Sequence, residues 1–459
     1  MGALPHSGNA GAGMGRIAVA GVAASLAEWL DFFIYTTASA LVLGKLFFPH
    51  FSPATGTILS FGTLAVGFVA RPIGGIIAGD LGDKYGRRPV LVGAMVLMGI
   101  ATLGVGILPT YSSIGIAAPV VLVVLRCIQG LGVGAQWGGA ALLLTEHSPI
   151  ARRGFFGSMV QMGAVAGSAV ATGIFYLITG LMSDSAFESW GWRIPFIAGI
   201  AVVGVGLYIQ NRIEDTPVFA QMQAEASAVP VHTPRRRPIL EVLRKHPVAV
   251  LQAAGAFLIV NAAFYVLSTG MVDFGTRIVG MSKGTTLGLV LGAGLTEIIT
   301  MPFFGWLSDN QRVRRRRLFL IGSVAMAVWV YPMFLLVQTG NPGLVFLALV
   351  VAYTIHAMMY GPQAAMYSEM FPSEVRFSGA SLGYQVASVL AGGLAPMIMT
   401  ALLASAGSWS VALYLIGMAA LTFLAVFTIR ETYRRSFRAG DGGLGDVGEV
   451  GARAAADAG

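Results

Sequence analysis

Glu28 and Asp31 stand inside the first long apolar stretch of this chain, and Arg126 stands inside the fourth. An acid near the middle of a helix in oil costs about 2.5–3.5 kcal/mol on insertion scales. A charge kept at that cost can carry a proton across the oil, or it can bolt two helices together. Both readings stay open from the sequence. Glu28 and Asp31 lie three residues apart and Tyr35 follows four further on, so one helix face carries all three. Asp31 is nearer the middle of the stretch and is the stronger candidate for the titrating group. Arg126 stays protonated in a protein and therefore needs an acid or an anionic ligand. Asp31 is the expected partner. Burial favours the neutral form of such an acid, and a nearby arginine favours the charged one. A substrate carboxylate that takes over Arg126 would leave Asp31 to gain a proton, so substrate and proton would promote each other's binding.

Polar side chains that could recognise hydroxyl or carboxylate groups are spread over other apolar stretches. Gln129 and Gln136 continue the Arg126 face at helical spacing, and Gln161 lies in the fifth stretch. In the second half, Asn261 and Tyr265 share a face, as do His356, Tyr360 and Gln363, while Tyr384 and Gln385 open the eleventh stretch. His356 reads equally as a hydrogen-bonded packing group. Glu297 is a further buried acid, to which the sequence assigns either a second protonation role or a polar neighbour.

Two polar signatures occur twice. Gly79-x-Leu81-x-Asp83 with Arg87 and Arg88 returns as Gly305-x-Leu307-x-Asp309 with Arg314 to Arg317. Glu146-x-x-Pro149-x-x-x-Arg153 returns as Glu369-x-x-Pro372-x-x-x-Arg376. Gly79 and Gly305 are 226 residues apart, and Glu146 and Glu369 are 223 apart, roughly half the chain. Duplication on that scale in so apolar a chain predicts two related membrane bundles with a path between them, the architecture of a secondary transporter. Gly79, Asp83, Arg87, Arg88, Glu146, Arg153, Asp309, Glu369 and Arg376 then read as a cytoplasmic gate, with a topogenic charge cluster as the alternative.

The elements that must position these groups follow from composition. Of 459 residues, 56% are hydrophobic and 11% charged, with mean hydropathy +0.75; soluble domains carry about 25% charged residues. About twelve stretches reach the roughly 20 apolar residues of a span: near 17–43, 54–78, 89–108, 117–143, 155–180, 191–209, 248–270, 285–306, 318–338, 343–366, 378–403 and 409–429. They should be helices, since oil satisfies no backbone group. Basic residues cluster in alternate loops (Lys84, Arg152, Arg235 to Arg237, Arg244, Lys245, Arg312, Arg314 to Arg317), whereas the opposite loops hold Lys45, Arg193, Arg277 and Lys283. That bias predicts both termini in the cytoplasm and explains the net charge of +8 without nucleic acid. The expected organisation is an N-terminal six-helix bundle over 1–210, a linker over 211–247, a C-terminal bundle over 248–435 and a disordered tail over 436–459. The first stretch is too long and too charged for a cleaved signal peptide. Cys127 is the single cysteine. No metal cluster, cofactor motif or Ser/His/Asp grouping is present, and Gly130-x-Gly132-x-Gly134 follows no strand, so it does not read as a nucleotide loop. Gly130-x-x-x-Gly134 and Gly163-x-x-x-Gly167 read as packing seams.

Along nearly its whole length the chain resembles the major facilitator superfamily, and within it the metabolite:proton symporter branch of shikimate, 2-oxoglutarate, citrate and proline/betaine permeases. Glu28-Trp29-Leu30-Asp31-Phe32-Phe33-Ile34-Tyr35, Arg71-Pro72-Ile73-Gly74-Gly75, Arg126-x-x-Gln129-Gly130 with Trp137-Gly138-Gly139, and Glu369-Met370-Phe371-Pro372 with Arg376 carry the resemblance. It implies an all-α integral membrane protein with the major facilitator fold, twelve transmembrane helices in two pseudo-symmetric six-helix bundles. It also implies a proton-coupled importer of a small polar metabolite, an organic acid above others, acting as a monomer in a bacterial inner membrane with protons and lipid as its other partners. Ala135-Gln136 stands where relatives carry Gly-Glu, so a carboxylate used there by relatives is missing. The fifth stretch lacks the Gly-Pro element of drug antiporters, and the tail after Arg438 lacks the heptads often found in proline/betaine permeases. Efflux of an aromatic or drug-like compound, osmolyte uptake and a non-transporting receptor are the alternatives. An enzyme is not expected.

Overall fold

The computed structural model describes residues 22, 25–27, 29–85, 87–134, 145, 148–200, 204, 238–372 and 375–431, except for the side chains at 79–80, 82–85, 87–88, 91, 238–241 and 377. Among the described residues every regular element is helical. The helices are α1 (Ser25–Phe47), α2 (Pro53–Tyr85), α3 (Arg87–Ile107), α4 (Ala117–Val133), α5 (Arg153–Leu181), α6 (194–200), α7 (Pro247–Ile278), α8 (Lys283–Ser308), α9 (Arg315–Gln338), α10 (Pro342–Met370), α11 (Ser378–Ser405) and α12 (Ser408–Thr428). Each expected span has its helix, though the start of the first and the C-terminal parts of the fourth and sixth fall beyond the described residues. Pro238–Lys245, expected as linker, is also helical, and its Val242 is buried. An apolar anchor at that point lets the chain dock before α7 begins.

Burial separates central helices from lipid-facing ones. In α1 and in α7, 78% of the most apolar window is buried, against 33% in α8 and α12. The first helix of each half therefore occupies the middle of the molecule. Val69, Ile100, Leu177, Ile299, Val328 and Leu424 point outward, as a face that meets acyl chains should. The backbone of α1, α7 and α11 widens into π turns at Ser39–Leu43, Val266–Gly270, Phe274–Ile278 and Ser388–Gly393. Such turns are local departures from the α ladder that often accompany function.

Small residues set how closely the helices approach. A Cβ on Gly130 of α4, or on Gly134 that caps it, would overlap the carbonyls of Gly67 and Arg71 in α2, respectively. A Cβ on Gly167 of α5 would lie 2.7 Å from the backbone nitrogen of Leu30, and one on Gly163 would collide with Ser25. Both glycine pairs are thus the packing seams expected of them, α2 on α4 and α1 on α5. Between the halves, α5 packs on α8 and α10, and α2 packs on α11. At the α5–α8 crossing, Gly154 and Gly305 face each other so closely that neither has room for a Cβ.

Gly130→Leu should therefore lower thermal stability by about 1–3 kcal/mol or more through overpacking. Gly93→Ala, where nothing lies within 4 Å of an added Cβ, should be neutral. Melting both variants in detergent against wild type checks this, and equal melting temperatures would remove the seam argument.

Candidate transport site

Asp31 is buried in the N-terminal half, and two helices other than its own hold it. Its carboxylate accepts hydrogen bonds from the Thr102 hydroxyl of α3 and the Gln129 amide of α4. Arg126, one turn before Gln129, does not form the expected direct ion pair with Asp31. Its guanidinium instead sits 3.6 Å from the centroid of the Tyr35 ring, leaving Nε and Nη2 without a hydrogen-bond partner among the described residues. The physical reason is local. Tyr35 lies one turn beyond Asp31 and captures the cation by its π face, while the shorter Gln129 fills the space against the carboxylate. The Tyr35 hydroxyl is tied to Thr63 of α2. The charges of Arg126 and of Arg71 in α2 nevertheless act on Asp31.

Arg71 is the residue that sequence reasoning placed in a family motif but not in the site. Its guanidinium lies 4.1 Å from the Phe68 ring centroid, 5.0 Å from that of Phe32 and 5.9 Å from that of Trp29, and the residue is 3% exposed. Its signal was available, since an arginine eighteen residues into an apolar helix is as costly as Arg126. The cluster therefore joins two fixed cations to one described acid. Glu28 and Gln136 lie outside the described residues.

The second half contributes aromatic and amide groups. Asn261, Tyr265, Tyr360, Tyr384 and Gln385 are all buried. Phe257 stacks on Tyr384 at 4.6 Å and on Tyr360 at 6.2 Å. Tyr265 meets Phe32 at 5.4 Å and Phe33 at 6.0 Å, so the rings of α1 and α7 close on each other across the interface of the halves. Gln161 of α5 and Gln363 of α10 bond to each other at 2.8 Å across the same interface. Asn261 Nδ2 and Gln385 Oε1 have no hydrogen-bond partner among the described residues. These are polar atoms in a closed, apolar centre that a polar molecule could satisfy. His356 does not join this set, because it is bound to Glu297 and to the Val260 carbonyl.

One end of the bundle is locked by charge. Asp309, from the second copy of the repeated signature, accepts from the backbone nitrogens of Gly154 at 2.8 Å and Phe155 at 3.0 Å, capping α5 of the other half. Arg315 holds Asp309 at 3.1 Å and Glu369 at 3.2 Å, and Arg153 reaches Glu369 at 3.7 Å. Thr145 and Ser368 meet at 2.9 Å beside them. Arg376 is buried at the start of the helical turn leading into α11. Arg315 was legible only as one member of a basic run, because nothing in the sequence separates the inward-facing arginine from its exposed neighbours. Glu146, the surroundings of Gly79 and the side chains of Asp83, Arg87 and Arg88 lie outside what the structure describes.

The opposite end is tied more weakly. Lys283 at the start of α8 meets Asp184 of the α5–α6 connection at 2.6 Å, with the Asp184 side chain 80% exposed. The lysine holds that carboxyl below its usual range, so the tie is lost as pH falls through the lowered value. An exposed pair of this kind contributes little in water.

The Major Facilitator Superfamily model matches residues 17–396 and 294–452. The shikimate transporter of Escherichia coli (strain K12) is 38% identical over 422 residues, covering 91% of this chain and 95% of the relative. The proline/betaine transporter of the same strain is 32% identical over 443 residues, covering 95% of this chain and 88% of the relative. Among solved structures, a D-xylose-proton symporter superposes with a TM-score of 0.69 at 19% identity, covering 92% of this chain and 99% of that one, which speaks for the fold alone. The chain is thus a multi-pass membrane transporter of small metabolites, not an enzyme, and it belongs to the major facilitator superfamily.

Proposed function

We propose that this protein is a proton-coupled symporter that imports a small organic acid by alternating access. The observation that carries the reading is the buried cluster of Asp31, Arg71 and Arg126, in which cations outnumber described acids. Arg126 Nε and Nη2, without a hydrogen-bond partner among the described residues, can donate to an anion, and the aromatic rings around Arg71 suit a flat or cyclic carbon frame. A carboxylate bound there draws the guanidiniums away from Asp31, which then takes up a proton. The name of the shikimate-transporting relative agrees with such a substrate. Tyr265, Asn261, Tyr360, Tyr384 and Gln385 supply hydrogen bonds from the other half, and Gln161 and Gln363 must separate to admit the molecule. Residues 1–210 and 248–435 act as the two moving bundles, as a monomer in the bacterial inner membrane with both termini in the cytoplasm.

On this orientation the Arg315–Asp309–Glu369–Arg153 network closes the cytoplasmic end. A buried charge network that loses one member is destabilised by about 3–5 kcal/mol, whereas the exposed Asp184–Lys283 tie opposes opening by about 0–1 kcal/mol. The protein then opens first to the outside. A zwitterionic substrate is the second reading, supported by the proline/betaine-transporting relative.

Uptake into proteoliposomes under an imposed pH gradient, with shikimate, L-proline and glycine betaine as probes, tests the reading. Shikimate should accumulate into vesicles made alkaline inside, and accumulation of betaine alone would replace the organic-acid assignment. Asp31→Asn should cut that accumulation by about 5–150-fold, the range of ordinary coupling energies, while sparing shikimate counterflow; undiminished accumulation would refute the role of Asp31. For the gate, Arg315→Gln should raise alkylation of a Ser368→Cys reporter in a Cys127→Ala background. A rise of at least about tenfold, equivalent to about 1.4 kcal/mol, is expected, and unchanged labelling would show that the network does not hold the seam.

A further inference from the structure

Glu297 of α8 and His356 of α10 form a buried pair that the Asp31 cluster does not use. Both side chains are 0% exposed, and His356 Nδ1 meets Glu297 Oε1 within hydrogen-bond distance. His356 Nε2 lies 3.1 Å from the carbonyl oxygen of Val260 in α7. The Phe264 ring stacks on the imidazole at 5.2 Å and 9°. Glu297 also lines a cavity of about 10 Å³ between α5, α7, α8 and α10, with Ser168, Thr172, Phe264 and Tyr353 among its walls. That is room for one water-sized group. Glu297 Oε2 has no hydrogen-bond partner among the described residues.

We propose that Glu297 and His356 are a second proton-binding site of this chain, in the C-terminal half, held in its loaded form by the folded arrangement. The geometry dictates the proton count. A carbonyl oxygen only accepts, so Nε2 must carry a hydrogen toward Val260. Nδ1 then has either a lone pair or a second hydrogen, and its neighbour is a carboxyl oxygen. A contact at hydrogen-bond distance needs one proton between the two. Whether this is carboxylic acid with imidazole or carboxylate with imidazolium, the pair holds one proton more than carboxylate with neutral imidazole. When that proton leaves, the Nδ1 lone pair faces a carboxylate and the tie between α8 and α10 is lost.

The surroundings leave the pair to set its own charge. Across the cavity from Glu297 lie Ser168 and Thr172 of α5, Phe264 of α7 and Tyr353 of α10, and against His356 lie the Val260 carbonyl, Phe264 and Tyr360. Among the described residues no lysine or arginine forms an ion pair with Glu297 or His356. Because the cavity lies on the α5–α8 interface of the halves, separation of those helices opens a route for the proton. Low pH loads the site and favours the closed packing; rising pH empties it and loosens the tie. The proposal rests on the reading of the protein as proton-coupled, and it assigns a proton to each half.

Infrared difference spectroscopy between acidic and alkaline buffer, on the full chain in lipid nanodiscs without any substrate, tests it. Glu297→Gln should remove a carboxyl-region difference band that Asp31→Asn keeps, and the Asp31 band should survive in Glu297→Gln. His356→Gln should move the titration midpoint of the Glu297 band by at least about one pH unit, since it removes the proton-sharing partner. A Glu297→Gln spectrum superimposable on wild type would overturn the site. If that variant does not fold, an unmoved midpoint in His356→Gln overturns it. Failure of shikimate uptake leaves these spectra unaffected, so the substrate assignment and this site fall separately.

Discussion

An ionised group in oil must be met by protein, because no solvent is there to meet it. Asp31 answers this with a threonine from α3 and a glutamine from α4, and Arg126 with the face of Tyr35. Each answer recruits a different helix, so the positions of α1, α2, α3 and α4 are interdependent around one carboxylate. The glycine seams of α4 on α2 and of α5 on α1 permit that convergence by letting backbones approach where a Cβ would block them.

The two halves solve the same problem with different chemistry. The N-terminal half concentrates fixed cations, whereas the C-terminal half pairs an acid with a histidine and surrounds them with rings and amides. At the centre, Phe32 and Phe33 meet Phe264 and Tyr265, and Gln161 meets Gln363. At the locked end, by contrast, the contacts are charged and buried. Arg315 serves two acids at once.

The repeated signature shows how duplication became a device. Gly305 and Asp309 act together on α5 of the other half: the glycine allows the approach, and the aspartate then caps two backbone nitrogens at its start. A helix terminus with unsatisfied donors is a natural seat for a carboxylate. Glu369, likewise expected as part of a repeated element, takes one arginine from each half.

Helix number, membrane class, the duplicated halves and the rarity of charges in the spans were legible in the sequence, because insertion into oil imposes a length and a composition that need no partner to be recognised. Asp31 and Arg126 stood out for the same reason, and the glycine seams showed in their four-residue spacing. Partner choice was not legible. Gln129 rather than Arg126 meets Asp31, Arg315 rather than its neighbours turns inward, and Glu297 lies against His356, since each depends on side chains that approach from helices far apart in the chain. Spacing along one helix tells which residues share a face; only the packing of helices against one another decides what that face meets.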